Sequence, residues 1–182
     1  MRKVLVTAAT FQPLDIEELK LRPEVRGFTT DDDDPMLLRF MTSAIEAYQD
    51  YTGHILCLST WDLYFDEFED EFELPSPLSS VSSVNYRDSD GTWQILATTY
   101  YTYDTTDAIK ARLTLKYGQS WPSTYDELNS VRIRFIAGYA DAESIPYRVI
   151  DGLVLYIQQL YDGIDRRAWY KSCWAADARL PV

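Results

Sequence analysis

The chain has 182 residues, of which 46% are apolar, enough to bury the core of one domain or of one domain carrying an insertion. Its 17 Lys and Arg stand against 29 Asp and Glu, for a formal charge of -12 and a pI near 4.4. That balance excludes a basic surface able to neutralise phosphates, and so excludes nucleic acid as a tightly held ligand. It is compatible with DNA passing close by, because like charge keeps the backbone from sticking. Cys57 and Cys173 lie too far apart to suggest a thiolate metal site or a disulfide framework, and both read as structural thiols in a reducing compartment. The apolar run Val4-Leu5-Val6 breaks at Thr7, too short for a secretory signal core, and no stretch approaches the roughly 20 apolar residues of a membrane span. The protein reads as cytosolic when made, with no membrane partner.

In chain order, Pro13 to Lys20 reads as a short helix, with acids near its start, Lys20 near its end and Arg22-Pro23 stopping it. The run Asp31 to Asp34 then Pro35, with Gly53 beyond Thr52, punctuates a long helix over Met36 to Thr52. Its broad apolar stripe, Leu38, Met41, Ile45, Tyr48 and Thr52, requires a packing partner. From Ile55 to Phe65 the period changes to two. Further strands are predicted at Phe72 to Leu74, Val81 to Tyr86, Thr92 to Ala97, Tyr100 to Tyr103, Ala111 to Tyr117 and Val131 to Ala137. Helical spacing returns from Tyr147 to Asp162, closed by Gly163. A C-terminal tail with Trp169, Tyr170 and Trp174 follows, aromatic but with little periodicity. The predicted fold class is α+β, a small helical bundle with an antiparallel β-rich insertion between the second long helix and the C-terminal helix. The expected organisation is one domain over 1–182, with helical parts at about 13–53 and 146–163, the β insertion at about 55–137 and the aromatic tail at 168–182.

Catalytic chemistry finds little support. His54 is the only histidine, so a nucleophile-histidine pair or a multi-histidine metal site would have to be built on it alone. Directly after Gly53, it reads instead as a partly exposed imidazole at a helix end. Asp31 to Asp34 lack the alternating ligand pattern of a calcium loop and read as a solvated loop ending in an N-cap. Asp88-Ser89-Asp90-Gly91 reads as a hairpin turn. The acids of Asp62 to Glu73, interleaved with Phe65, Phe68 and Phe72, could supply paired carboxylates but read more simply as a strand edge guarded by charge. No phosphate-binding glycine loop, nucleophile elbow or dinucleotide fingerprint is present, and no catalytic residue, metal ligand or cofactor is assigned.

The order of segments resembles the head-tail connector (adaptor) family of long-tailed bacteriophages. The opening Pro13 to Arg22 looks like that family's first helix. The segment Asp33-Asp34-Pro35-Met36-Leu37-Leu38, leading through Ala44-Ile45-Glu46-Ala47 to Tyr51-Thr52-Gly53, is similar to its acid-started long helix. Ser59-Thr60-Trp61-Asp62-Leu63, Glu73-Leu74-Pro75-Ser76-Pro77 running on to Val84, and the Tyr86 to Gly91 hairpin match its central strands. Val131 to Tyr139, then Ile145-Pro146 and a long helix, resemble its last strand, Ala-Gly-Tyr turn and final helix. The aromatic extension after Asp165-Arg166-Arg167 departs from the pattern.

The resemblance implies a non-enzymatic virion protein at the head-tail junction: a homo-oligomeric ring, dodecameric as a rule, seated on the portal protein. Such a ring extends the DNA channel, touches DNA only in transit and presents a platform to a stopper or tail-completion protein. Trp169, Tyr170, Trp174, Arg179 and Leu180 are the candidate partner-binding residues, since aromatic side chains beyond the last predicted helix suit an interface. The alternatives are a stopper or tail-completion protein of the same region, a carbohydrate-binding β module using exposed tryptophans, and a carboxylate-pair enzyme.

Overall fold

A computed structural model describes residues 2–22, 31–106 and 110–178. Its described residues divide into two compact units, 1–10 with 58–138 and 11–57 with 139–182. The fold is α+β, with the β-rich unit inserted between helices as the segment pattern predicts.

The first unit holds every strand among the described residues. Five form an antiparallel sheet in the order β1 (Arg2–Thr7), β2 (Ser59–Phe65), β8 (Val131–Ala137), β4 (Leu78–Arg87) and β5 (Trp93–Leu96). Three form a second sheet in the order β3 (Glu71–Leu74), β7 (Ala111–Leu115) and β6 (Tyr101–Asp104). Strict alternation in β8 sends Val131, Ile133, Phe135 and Ala137 inward and Arg132, Arg134 and Ile136 outward. The registers Leu63 with Ile133 and Val84 with Ile133 carry the inner face across three strands. The second sheet adds Phe72, Leu74, Ala111 and Leu113 to the same core, and the Phe65 and Phe72 rings meet edge to face at 4.7 Å. The acidic segment after β2 leads into an edge strand, as its charge suggests, with Glu71 and Glu73 paired to Arg112 and Lys110 across β7. At the hairpin between β4 and β5, the Asp88 carboxylate accepts from the backbone N–H groups of Asp90 and Thr92, and Gly91 adopts φ 79°.

The second unit is helical: α1 (Ile16–Leu21), α2 (Asp34–Thr52), α3 (Tyr147–Asp162) and α4 (Arg167–Trp174). Asp15 caps α1 by accepting from Glu17 N–H at 2.8 Å. Gly53 and Gly163 close α2 and α3 in the left-handed conformation, as read from sequence. Asp33 does not cap α2 with its side chain; Asp31–Asp33 form a 3-10 turn whose backbone is already helical at Asp33, so its carboxylate is misplaced for capping. Leu19, Leu37, Met41, Ala44, Tyr48, Val149, Leu153 and Ile157 form the core of the bundle.

One further expectation changes. Residues 55–58 are not a regular strand; Ile55 and Leu56 are buried, and the alternating segment's first three residues belong to the helical unit. The Val4-Leu5-Val6 run, by contrast, is the middle of edge strand β1.

Candidate functional site

The predicted partner-binding residues separate into distinct environments. Residues 168–174, expected as an aperiodic tail, lie in helix α4, and Tyr170 and Trp174, four apart, share its inner face. Trp174 is 0% exposed and Tyr170 5% exposed. The Trp174 indole is enclosed by Tyr48 at 5.6 Å edge to face, Tyr170 at 4.9 Å and Tyr156 at 6.2 Å. Its N–H donates to the Val149 carbonyl at 3.3 Å. Room for it exists because α3 carries Gly152: a Cβ there would lie 2.1 Å from Trp174 Nε1. Trp169 points the other way and is 64% exposed. Arg179 and Leu180 lie outside the described residues.

Past α4 the chain is fastened by Asp177, which is buried. Its carboxylate accepts from the Tyr48 hydroxyl at 3.1 Å and forms an ion pair with Arg148. Burial first, and then the Asp177 charge, push the Tyr48 hydroxyl well above the ordinary tyrosine range. Tyr48, Arg148 and Asp177 thus join α2, α3 and the segment after α4, while Tyr170 and Trp174 fill the space between.

Among the exposed apolar side chains of this unit, Leu160, Tyr161, Ile164 and Trp169 lie near the α3–α4 turn and reach solvent. The turn itself is rigidly tied: Arg166 makes two hydrogen bonds of 2.7 Å to Asp162, and Arg167 pairs with Asp165. Arg167 holds the Asp165 carboxyl at about 2, below its usual range.

The positions with chemical potential have structural partners. Glu17, Asp31 and Asp34 could together hold a cation, and they converge on the Lys20 ammonium, at 2.9, 3.3 and 2.6 Å. Lys20 therefore supplies the positive charge such a trio requires, and its own pKa is raised by Asp34 and then Glu17. His54 is only 2% exposed, not partly exposed as the sequence suggests, because the chain turns inward after Gly53 and carries it in with Ile55 and Leu56. Burial pushes the Cys57 thiol up to about 11, so it stays protonated and unreactive. Asp62, within the acidic stretch considered for catalysis, is buried and held by Arg134 through two 2.8 Å hydrogen bonds. No helix among the described residues is long and apolar enough to cross a membrane.

Sequence reading missed Gly152, Arg148 and Asp177. A glycine in the middle of a long apolar helix was the available signal, since it costs helix stability unless something packs against it.

No family model and no curated protein matches the chain. Solved structures of gene transfer agent (GTA) particles do share its fold. A chain from the neck of an empty GTA particle computed with C6 symmetry aligns with a TM-score of 0.82 and 21% identity, covering 100% of this chain and 97% of that one. A chain from the virion of the native particle aligns at 0.81 and 22% identity, with the same coverage. A chain from the neck of the native particle computed with C12 symmetry aligns at 0.79 and 21% identity, again with 100% and 97% coverage.

Proposed function

We propose that this chain is a structural, non-enzymatic neck protein of a phage-like particle, an adaptor subunit that forms a ring between the portal and the tail. The observation that carries this reading is end-to-end similarity of fold, both units included, to a chain from a particle neck, at a TM-score of 0.82. Likeness over one unit alone would reflect a widespread β or helical architecture; likeness over both, in the same connectivity, is far more restrictive. The order of sequence segments supports the same reading independently. The neck structure computed with C12 symmetry supports a twelve-membered ring, in which this chain would contact its own copies on two sides. The net charge of -12 suits a channel wall past which DNA moves without binding.

Within this reading, the α3–α4 turn is the docking element for the portal, with Trp169 as its anchor. It is an exposed indole in the first turn of α4, next to a connection braced by Arg166 and Arg167, so little conformational freedom is lost on binding. Tyr170 and Trp174 act indirectly, by fixing α4 in place. The side of the ring away from the portal receives the stopper or tail-completion protein.

The test is co-purification with the portal protein encoded nearby in the same genome, followed by electron microscopy. A ring seated on the portal is the expected result, and Trp169→Ala should weaken the association at least tenfold while leaving the fold intact. Deleting the whole tail is a poor test, because it removes Trp174 from the core. A wild-type chain that neither binds the portal nor enters particles would overturn the assignment.

A further inference from the structure

The outward face of the five-stranded sheet is basic in a chain that is otherwise strongly acidic. The pairings Arg2 with Tyr64, Tyr64 with Arg132, and Asn85 with Arg132 align these side chains in one row across four strands. Arg134 lies on the same face of β8, and Arg87 with Trp93 follow toward the β5 edge. Arg134 is committed to Asp62, and Arg87 to Glu127 at 3.1 Å. Arg132 has no carboxylate partner among the described residues. Its guanidinium lies 5.3 Å from the centre of the Trp93 ring, as does that of Arg87, so two cations share one indole. The Arg132 Nε is buried without an acceptor. A half-exposed Trp flanked by guanidinium groups, with Ile95 exposed beside it on an edge strand, has the composition of an interface centre.

The same unit carries the complement. Between β2 and β3, Glu67, Glu69 and Asp70 are exposed and have no ion-pair partner among the described residues. Phe68, in their midst, stacks on Trp121 at 4.5 Å with planes 3° apart and touches Phe72 and Tyr86 on the inner side of the sheet. Phe68 thereby anchors the turn, while Glu67, Glu69 and Asp70 remain exposed beside it.

We propose that the outward arginine face, centred on Arg132 and Trp93, is the docking surface for a second copy of this chain, which presents its Glu67-Phe68-Glu69-Asp70 turn. This deepens the ring reading and rests on it. An unspent cation at one place on the surface and unspent anions at another give a head-to-tail contact, the kind that closes a ring and leaves no copy unpaired. Carboxylates suit the site, because a guanidinium fork binds them with two hydrogen bonds and the indole orients the fork. DNA phosphate is disfavoured as occupant, since a single unspent arginine would have to overcome the repulsion of a chain at -12.

The experiment is charge exchange in assembled particles. Arg132→Glu and the triple change Glu67→Lys, Glu69→Lys, Asp70→Lys are made separately and together, each checked for folding by circular dichroism, and ring incorporation is read by electron microscopy of isolated necks. Each change alone should cut incorporation about tenfold or more, and the combined protein should regain most of it. Arg132→Glu subunits that enter necks as well as wild type would overturn the proposed surface while leaving the neck reading standing. Failure of the wild-type chain to enter necks would overturn both. Loss of DNA retention by Arg132→Glu particles, with ring formation unchanged, would reassign the face to phosphate and overturn the proposal.

Discussion

Replacing Gly152 with alanine should unfold the protein more easily, although alanine is the better helix former. On propensity alone the change is worth about 1 kcal/mol in favour of the fold, since the residue lies in the interior of α3. The new methyl carbon, however, would stand 2.1 Å from Trp174 Nε1, 2.7 Å from Cδ1 and 2.8 Å from Cε2. Carbon contacts are comfortable at roughly 3.5 Å or more, so the indole would have to retreat by about 1 Å or more. It has nowhere to go, being boxed in by Tyr48, Tyr170 and Tyr156. Eviction of a fully buried tryptophan costs about 3–5 kcal/mol, leaving a net loss of about 2–4 kcal/mol. For a chain of this size that lowers the melting temperature by about 4–16 °C. Chemical denaturation followed by circular dichroism measures the loss. In a Trp174→Ala background the clash is gone, and Gly152→Ala should then be neutral or stabilising by up to about 1 kcal/mol. A variant as stable as the parent, or an undiminished cost in the Trp174→Ala background, would refute the packing argument.

Asp177→Ala should cost about 1–3 kcal/mol in denaturation midpoints, because Arg148 and the Tyr48 hydroxyl both lose their acceptor; the lower end reflects the partial exposure of Arg148. Arg134→Ala should cost about 2–3 kcal/mol by leaving the buried Asp62 carboxylate unpaired, and the Asp62→Asn, Arg134→Ala double variant should recover part of it; additive costs would count against the pair. Stability should also fall at alkaline pH. Burial raises the Tyr48, Tyr101 and Tyr139 hydroxyls, so the folded state holds their protons more tightly than the unfolded chain does. Their contribution is complete below the ordinary tyrosine value of about 10 and is lost as pH rises beyond it. Urea midpoints should therefore be level up to about pH 9 and drop above about pH 10, and a midpoint that holds level there would contradict the burial of these phenols.

The elements most legible from sequence were those with both punctuation and period. Strand β8 and helix α3 match the predicted bounds because Gly138, Pro146 and Gly163 mark where one geometry must stop, and because their apolar residues face a single core. Strand β1 escaped prediction for the opposite reason. It is an edge strand exposed along almost its whole length, so burial imposes no alternation on its sequence. Helix α4 escaped because its inward pair is only Tyr170 and Trp174, with exposed Trp169 beside them; an eight-residue helix shows a single repeat of the pattern. Its register is set by a notch at Gly152, 22 positions upstream of Trp174, and no local window contains both. The basic face had a readable trace, the alternating arginines of Val131-Arg132-Ile133-Arg134. Only strand pairing reveals that Arg132 meets Tyr64 on one side and Asn85 on the other.

In the proposed ring, charge would let a chain at -12 serve both as a channel lining and as an assembly subunit. Copies of one acidic protein repel one another, and that repulsion must be offset locally for a ring to close. Much of the positive charge is spent inside the subunit: Lys20 on three carboxylates, Arg134 on Asp62, Arg148 on Asp177 and Arg166 on Asp162. A guanidinium left unspent on a flat sheet face therefore stands out energetically. It is a local attraction for the acidic surface of an identical neighbour, set in a field that repels everything less complementary. On the proposed reading, the same economy that would keep DNA from adhering leaves Arg132 and its indole as the place for another copy to be held, and a mispaired copy would meet only its own kind of charge.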